Sequence, residues 1–249
     1  TNSGIMAVGD GSSLTYRYDA INTNLAEGVL SGGTWRVIAG ANGATMLLTG
    51  GPLAVDAATI VLQGAGSVLR AGTGLGATPY TDIEQTLTSV AVGGQLQVLG
   101  GRNYISGLTI DDNGIIQLGG GTLQAAGLTI AAGASLFGFG TVVTPVTNAG
   151  TINAKPGTLT VNGNISGTGS LIADAASTLV LSGGSNSAGS VIDNGTVKLG
   201  GGALQATSLS VATAGAVLSG FGTITGPIAN AGTVAANGGV LNVNSAVSG

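Results

Sequence analysis

The chain of 249 residues has no cysteine and no histidine, and only 6% of it is charged. Without cysteine there are no disulfide staples and no thiolate metal sites. Without histidine there is no Ser-His-Asp triad, and the usual transition-metal ligands are missing. Six lysines and arginines, scattered over the chain, cannot supply the clustered positive charge that nucleic acids or anionic membrane surfaces require. No apolar run approaches the roughly 20 residues of a membrane-spanning helix, and no signal peptide opens the chain. If the protein is exported, its targeting segment has been removed or lies outside this chain.

What is abundant is glycine, with 48 residues, together with a hydrophobic share of 43%. Collagen would need glycine at every third position, and disorder would need low hydrophobicity with high charge. Neither applies, so the chain folds. Val, Ile, Leu and Thr dominate the patterned segments, which favours strands. Two lysines and two glutamates leave little to cover exposed helix faces. The fold class is all-β.

Two stretches nearly repeat: "FGFGTVVTPVTNAGTI" from Phe137 and "SGFGTITGPIANAGTV" from Ser219. Aligning Leu118–Gly167 with Leu199–Gly249, with Thr213 as a single insertion, gives 29 identities in 50 pairs. The unit is about 82 residues long. Within it, short apolar pieces recur about every 20 residues, at Leu96-x-Val98, Ile116-x-Leu118, Leu136, Leu159-x-Val161, Leu179-x-Leu181, Val197-x-Leu199, Leu218 and Leu241-x-Val243. A period this short cannot bury its own apolar face, so successive periods must stack. Asn-Gly pairs at 42–43, 113–114, 162–163, 194–195 and 237–238 mark turns. Those turns also suit an antiparallel sandwich. Three short strands per 20 residues fit a parallel β-helix, or solenoid, better. Asn148 and Asn230 then stand at corners, either in an inward amide ladder or in ordinary turns.

Residues 1–95 repeat less clearly and form an N-terminal, more decorated part. Residues 96–249 form the regular part, divided as 96–177 and 178–249, with one continuous solenoid expected. All four tyrosines, the tryptophan and all four arginines lie between Tyr16 and Tyr104.

The strings "LGGGTLQAAGLTIAAGASLFGFGTV", "NAGTINA", "GTLTVNGNISGTGSL" and "STLVLSG" resemble the strand repeats of bacterial autotransporter passenger domains and related large secreted adhesins. The resemblance is best from Leu96 to Gly249. It implies a right-handed parallel β-helix on the bacterial cell surface or outside the cell, acting as a stalk, adhesin or matrix protein. The outer-membrane barrel that anchors an autotransporter is not in this sequence, and the chain itself is not expected to insert in a membrane.

Some β-helices cleave polysaccharides with paired carboxylates. Asp111-Asp112 is the adjacent pair here, and neighbours on a strand point to opposite faces, so they do not converge on one bond. A turn role explains the pair better. No glycine-aspartate calcium nonapeptide occurs, and no phosphate-binding or dinucleotide fingerprint is complete. The chain therefore reads as a non-enzymatic structural or adhesive rod without cofactor or metal. The alternatives are a filament subunit that stacks end to end through open strand edges and, less favoured, a polysaccharide-binding or polysaccharide-degrading β-helix. The expected partners are further copies of the chain and a host-surface or matrix glycan, with no nucleic acid. The candidate contact residues are Tyr16, Tyr18, Trp35, Arg36, Tyr80, Arg102 and Tyr104, with Arg17 beside them, since aromatic faces stack on sugars and Tyr, Trp and Arg favour interfaces. The competing reading has Trp35 and some tyrosines filling a wide interior. The pattern also stops mid-repeat at "NVNSAVSG", which suggests a segment of a longer protein or an edge open to another subunit.

Overall fold

The computed structural model describes residues 2–17, 24–75 and 79–249. It is an all-β solenoid of parallel stacked coils with a spacing of about 20 residues. Two compact units are present, Thr1–Ala126 and Gly127–Gly249.

In the first unit, one parallel sheet stacks Ile5–Val8, Val29–Ile38, Val55–Gln63, Gln95–Leu99 and Ile115–Gln124. Its register places Met6, Trp35, Ile60, Leu96 and Ile116 in one column, and Val8, Val37, Leu62, Val98 and Leu118 in the next. Alternate residues face inward, as the two-residue period of a strand dictates. Both columns are fully or nearly fully buried from the second strand onward. A second sheet stacks Ser12–Tyr16, Ala44–Thr49 and Ser67–Gly72 in parallel, with Thr81–Asp82 added antiparallel. A third column runs Leu30, Asp56, Val90 and Asp112. The steps along the Trp35 column vary because loops and short antiparallel pairs, such as Leu25–Ala26 against Val29–Leu30, interrupt the coils.

The second unit is regular, and every strand pairing within it is parallel. The antiparallel sandwich is thereby excluded for this unit. Its strands build three faces. On one, Leu136, Ile152, Leu171, Val191, Leu209, Ile228 and Val247 lie one above another. On the second the column is Leu159, Leu179, Val197, Leu218 and Val234. On the third it is Leu128, Val146, Ile165, Asn186, Leu204, Ile224 and Val243.

The register shows how the two copies of the long repeat are related. Leu136 and Leu218 are equivalent in the sequence repeat, yet they stand on different faces. So do Leu128 and Leu209, and Ile152 and Val234. Passing from Leu136 to Leu218 crosses thirteen strand positions, four turns and a third. The second copy therefore does not rebuild the same coils in the same orientation. It reproduces the local structure one face further round.

That local structure is reproduced in detail. In both copies the register breaks at Gly-Phe-Gly: Gly138 pairs Ala154 while Gly140 pairs Leu159, and Gly220 pairs Ala236 while Gly222 pairs Leu241. One phenylalanine thus opposes four residues of the next coil. The flanking glycines carry φ of 121°, 131°, 116° and 125°, a region costly for any residue with a Cβ.

Candidate functional site

The aromatic and arginine residues of the first unit do not form one surface. Trp35 and Tyr104 are fully buried. Trp35 sits in the inward column, its Nε1 donating to the Gly32 carbonyl at 3.0 Å. The Tyr104 hydroxyl donates to the Ile83 carbonyl at 3.4 Å. With no exposed ring face, neither can stack on a ligand. The expectation that they contact a glycan is corrected in favour of the interior-filling role, because their places on the strands put them on the inward side of the pleat.

Tyr16 is half-buried against Trp35, edge to face with ring centroids 4.9 Å apart, and its hydroxyl donates to Asn24 at 3.1 Å. Arg36 follows Trp35 on the outward side and is half-buried. Tyr80 shares a hydrogen bond of 3.2 Å with Thr49 and lines a shallow pocket of about 270 Å³ with Arg17, Thr73, Gly74 and Leu75. Tyr18 lies outside the described residues. Arg102 is 12% exposed, pairs with Glu84 and donates from Nε to the Ser67 carbonyl at 2.9 Å. It lines a cleft of about 250 Å³ with Val68, Asp82, Glu84, Gln85, Asn103 and Ile105. Arg70 pairs with Asp82 at 2.6 Å. Both arginines on this side thus have carboxylate partners already.

Three aspartates are buried to complete exclusion of solvent: Asp56, Asp112 and Asp193. Each occupies an inward-facing strand position, Asp56 near the start of its strand and Asp112 and Asp193 at the end of theirs, and turns one carboxyl oxygen onto a backbone amide two residues ahead. Asp56 accepts from Ala58 at 2.9 Å, Asp112 from Gly114 at 3.0 Å and Asp193 from Gly195 at 3.1 Å. Asn230 does the same with Gly232 at 3.1 Å. Burial pushes the Asp56 carboxyl up to about 8 and Asp112 up to about 7, against which the backbone hydrogen bond pulls weakly; Asp193 moves in the same direction for the same reason. The second oxygen of each has no hydrogen-bond partner. A carboxyl held neutral satisfies its turn without a buried charge. Asp111, in contrast, is exposed. The two neighbours do point opposite ways, and Asp112 serves a turn.

The two readings of the corner asparagines divide between residues. Asn230 caps its own turn, whereas Asn148 donates to the Ser170 carbonyl of the next coil at 3.2 Å. Asn186 bridges coils on both sides, accepting from the Ile165 amide and donating to the Ala203 carbonyl.

The second unit carries a feature that sequence reasoning missed. Phe139 and Phe221 project from their corners and remain 39% and 37% exposed. Phe139 lies against Gly157, and Phe221 lies between Gly201 on one coil and Gly238 and Gly239 on the next. Nearby, Lys155 stands over the Phe137 ring at 4.3 Å. The legible signal was an aromatic set between two glycines in both copies, at the point where alternation breaks. The outward positions beside these corners are small and hydroxylated. Ser135, Thr151, Ser170, Ser190 and Ser208 form one ladder, with Ser170 and Ser190 hydrogen-bonded at 2.8 Å.

Among the described residues no group of three or more acidic side chains is placed to hold a metal ion. Comparison with family models, with curated proteins and with solved structures finds no match to this chain.

Proposed function

We propose that this chain is a non-enzymatic structural and adhesive β-solenoid of a bacterial cell-surface or secreted protein. The observation that carries the reading is the outward hydroxyl ladder over continuous aliphatic columns in the second unit. Each coil there pairs with the next through parallel strands on three faces, so tension or shear is shared over many backbone bonds. The outward side chains add solubility without much charge, and the absence of cysteine suits a protein that leaves the cytoplasm. Adhesion falls to the exposed Phe139 and Phe221 rings and to the Tyr80 pocket, which present aromatic faces to a surface glycan or matrix partner. The resemblance of the repeats to autotransporter passengers points the same way.

The test is single-molecule stretching of the tethered chain beside incubation with bacterial and host polysaccharides. A rod of this kind should yield in steps near the contour length of one coil, about 66–72 Å for 20 residues. It should leave polysaccharides uncut. Steady release of new sugar ends, abolished by substituting Glu84 or Asp82 in the cleft, would overturn the reading.

A further inference from the structure

Three of the Asn-Gly pairs form a matched set. Asn113, Asn162 and Asn194 each sit at a corner and donate a backbone amide to the coil beneath, to the carbonyls of Val90, Val142 and Ala173 at 2.8, 2.9 and 2.9 Å. Asn113 and Asn162 are both exposed. The difference lies one residue on. The Gly114 amide is held by the carboxyl of Asp112, and the Gly195 amide by that of Asp193. The Gly163 amide, preceded by Val161 and Asn162, has no hydrogen-bond partner among the described residues.

That amide is the nucleophile in the self-modification of Asn-Gly sequences. The glycine nitrogen loses its proton to hydroxide and attacks the asparagine side-chain carbonyl carbon. The new C–N bond closes a five-membered succinimide, and the side-chain nitrogen leaves as ammonia. Water then opens the ring at either carbonyl, giving aspartate or isoaspartate. No oxidant or other reagent is needed. A hydrogen bond to a carboxyl oxygen opposes the first step, because it holds the proton that must leave and turns the nitrogen away from its target.

We propose that Asn162-Gly163 is a site of spontaneous succinimide-mediated modification, and that the side chains of Asp112 and Asp193 protect Asn113-Gly114 and Asn194-Gly195 from the same reaction. Conversion at Asn162 adds a negative charge to a corner built from uncharged residues, Val161 to Asn164. The isoaspartyl product also lengthens the backbone by one methylene at a crowded place, since a Cβ built on Gly163 would lie 1.7 Å from the Thr144 carbonyl oxygen. Within this set of three, one corner thus ages while its two look-alikes persist.

The experiment is peptide mapping with isoaspartate detection on the intact folded chain, aged at mildly alkaline pH, beside the same chain aged in urea. Asn162 should convert about tenfold faster than Asn113 and Asn194 in the folded chain, the ratio expected for breaking one hydrogen bond from the glycine amide to a carboxyl oxygen. In urea the three rates should converge. Asp112→Ala should raise the rate at Asn113 toward that of Asn162, whereas Asp112→Asn, which keeps an acceptor oxygen, should not. Equal rates at the three sites in the folded chain, or the same ranking in urea as in the fold, would overturn the proposal. The wild-type comparison decides even if Asp112→Ala fails to fold.

Discussion

Replacing Asp56 by Asn should stabilise the protein at neutral and alkaline pH and leave it unchanged in acid. The carboxyl is fully buried in the third column of the first unit, with one oxygen on the Ala58 amide and the other without a partner. Burial raises it from 3.8 to about 8. The folded chain therefore keeps a proton that the unfolded chain releases near pH 4. Between pH 4 and 8 unfolding frees that proton, so stability falls as pH rises, and the full deficit is present above about pH 8. Each pH unit across that window removes about 1.4 kcal/mol, so the deficit is on the order of 5 kcal/mol. Asparagine keeps the acceptor oxygen and never ionises. Its amide nitrogen has no partner, but neither has the protonated oxygen that it replaces, so the two chains should be nearly equal at pH 4. The assay is urea unfolding from pH 4 to 9, read by the fluorescence of Trp35, the lone tryptophan, which lies on the strand adjoining that of Asp56. A local probe is preferable here because coils of a solenoid can unfold separately. The wild-type midpoint should fall across this range, and that of Asp56→Asn should fall less, keeping the part that Asp112 contributes. A flat wild-type profile, or a variant weaker than wild type at pH 8, would refute the reasoning.

Gly163→Ala should cost about 1–3 kcal/mol or more, because its Cβ would collide with the Thr144 carbonyl oxygen, whereas Gly107→Ala, with nothing within 4 Å, should be neutral or gain up to about 1 kcal/mol by stiffening the unfolded chain; paired melting curves distinguish the two. Arg102→Met strips the partner from Glu84, which is only 12% exposed, and should cost about 3 kcal/mol, while Arg102→Met combined with Glu84→Gln should recover most of that loss. Denaturation midpoints for the two single variants and the double variant close the cycle.

Much of the fold was legible because strand alternation and corner residues are local signals. Leu159-x-Val161 and Leu179-x-Leu181 announce themselves as inward pairs, and they do stack. The first unit is harder to read because its columns jump from Val8 to Val37 to Leu62 to Val98, with loops of different length between coils. Trp35 invites a contact role by its rarity, although Trp35-x-Val37 carries the same inward signature as the leucine pairs. The spacing was the better guide. The capping role of Asp112 is visible from its place before Asn-Gly, but the burial of Asp56 is not, since Val-Asp-Ala-Ala has no turn residue. The rotation of the long repeat depends on the sum of many coil lengths, including the short step from Leu136 to Ile152, and no single stretch of sequence reports that sum.

That rotation governs what duplication can achieve in such a molecule. A whole number of turns would have set the second Gly-Phe-Gly corner directly above the first, lengthening one groove and strengthening its grip on a single extended partner. The extra third of a turn gives Phe221 a different compass bearing from Phe139. Copying the segment thus widens the range of directions from which the protein can be approached, and a further copy of the same length would point along the third. Growth by this unit makes a spiral stair whose treads are alike but never face the same wall twice in succession.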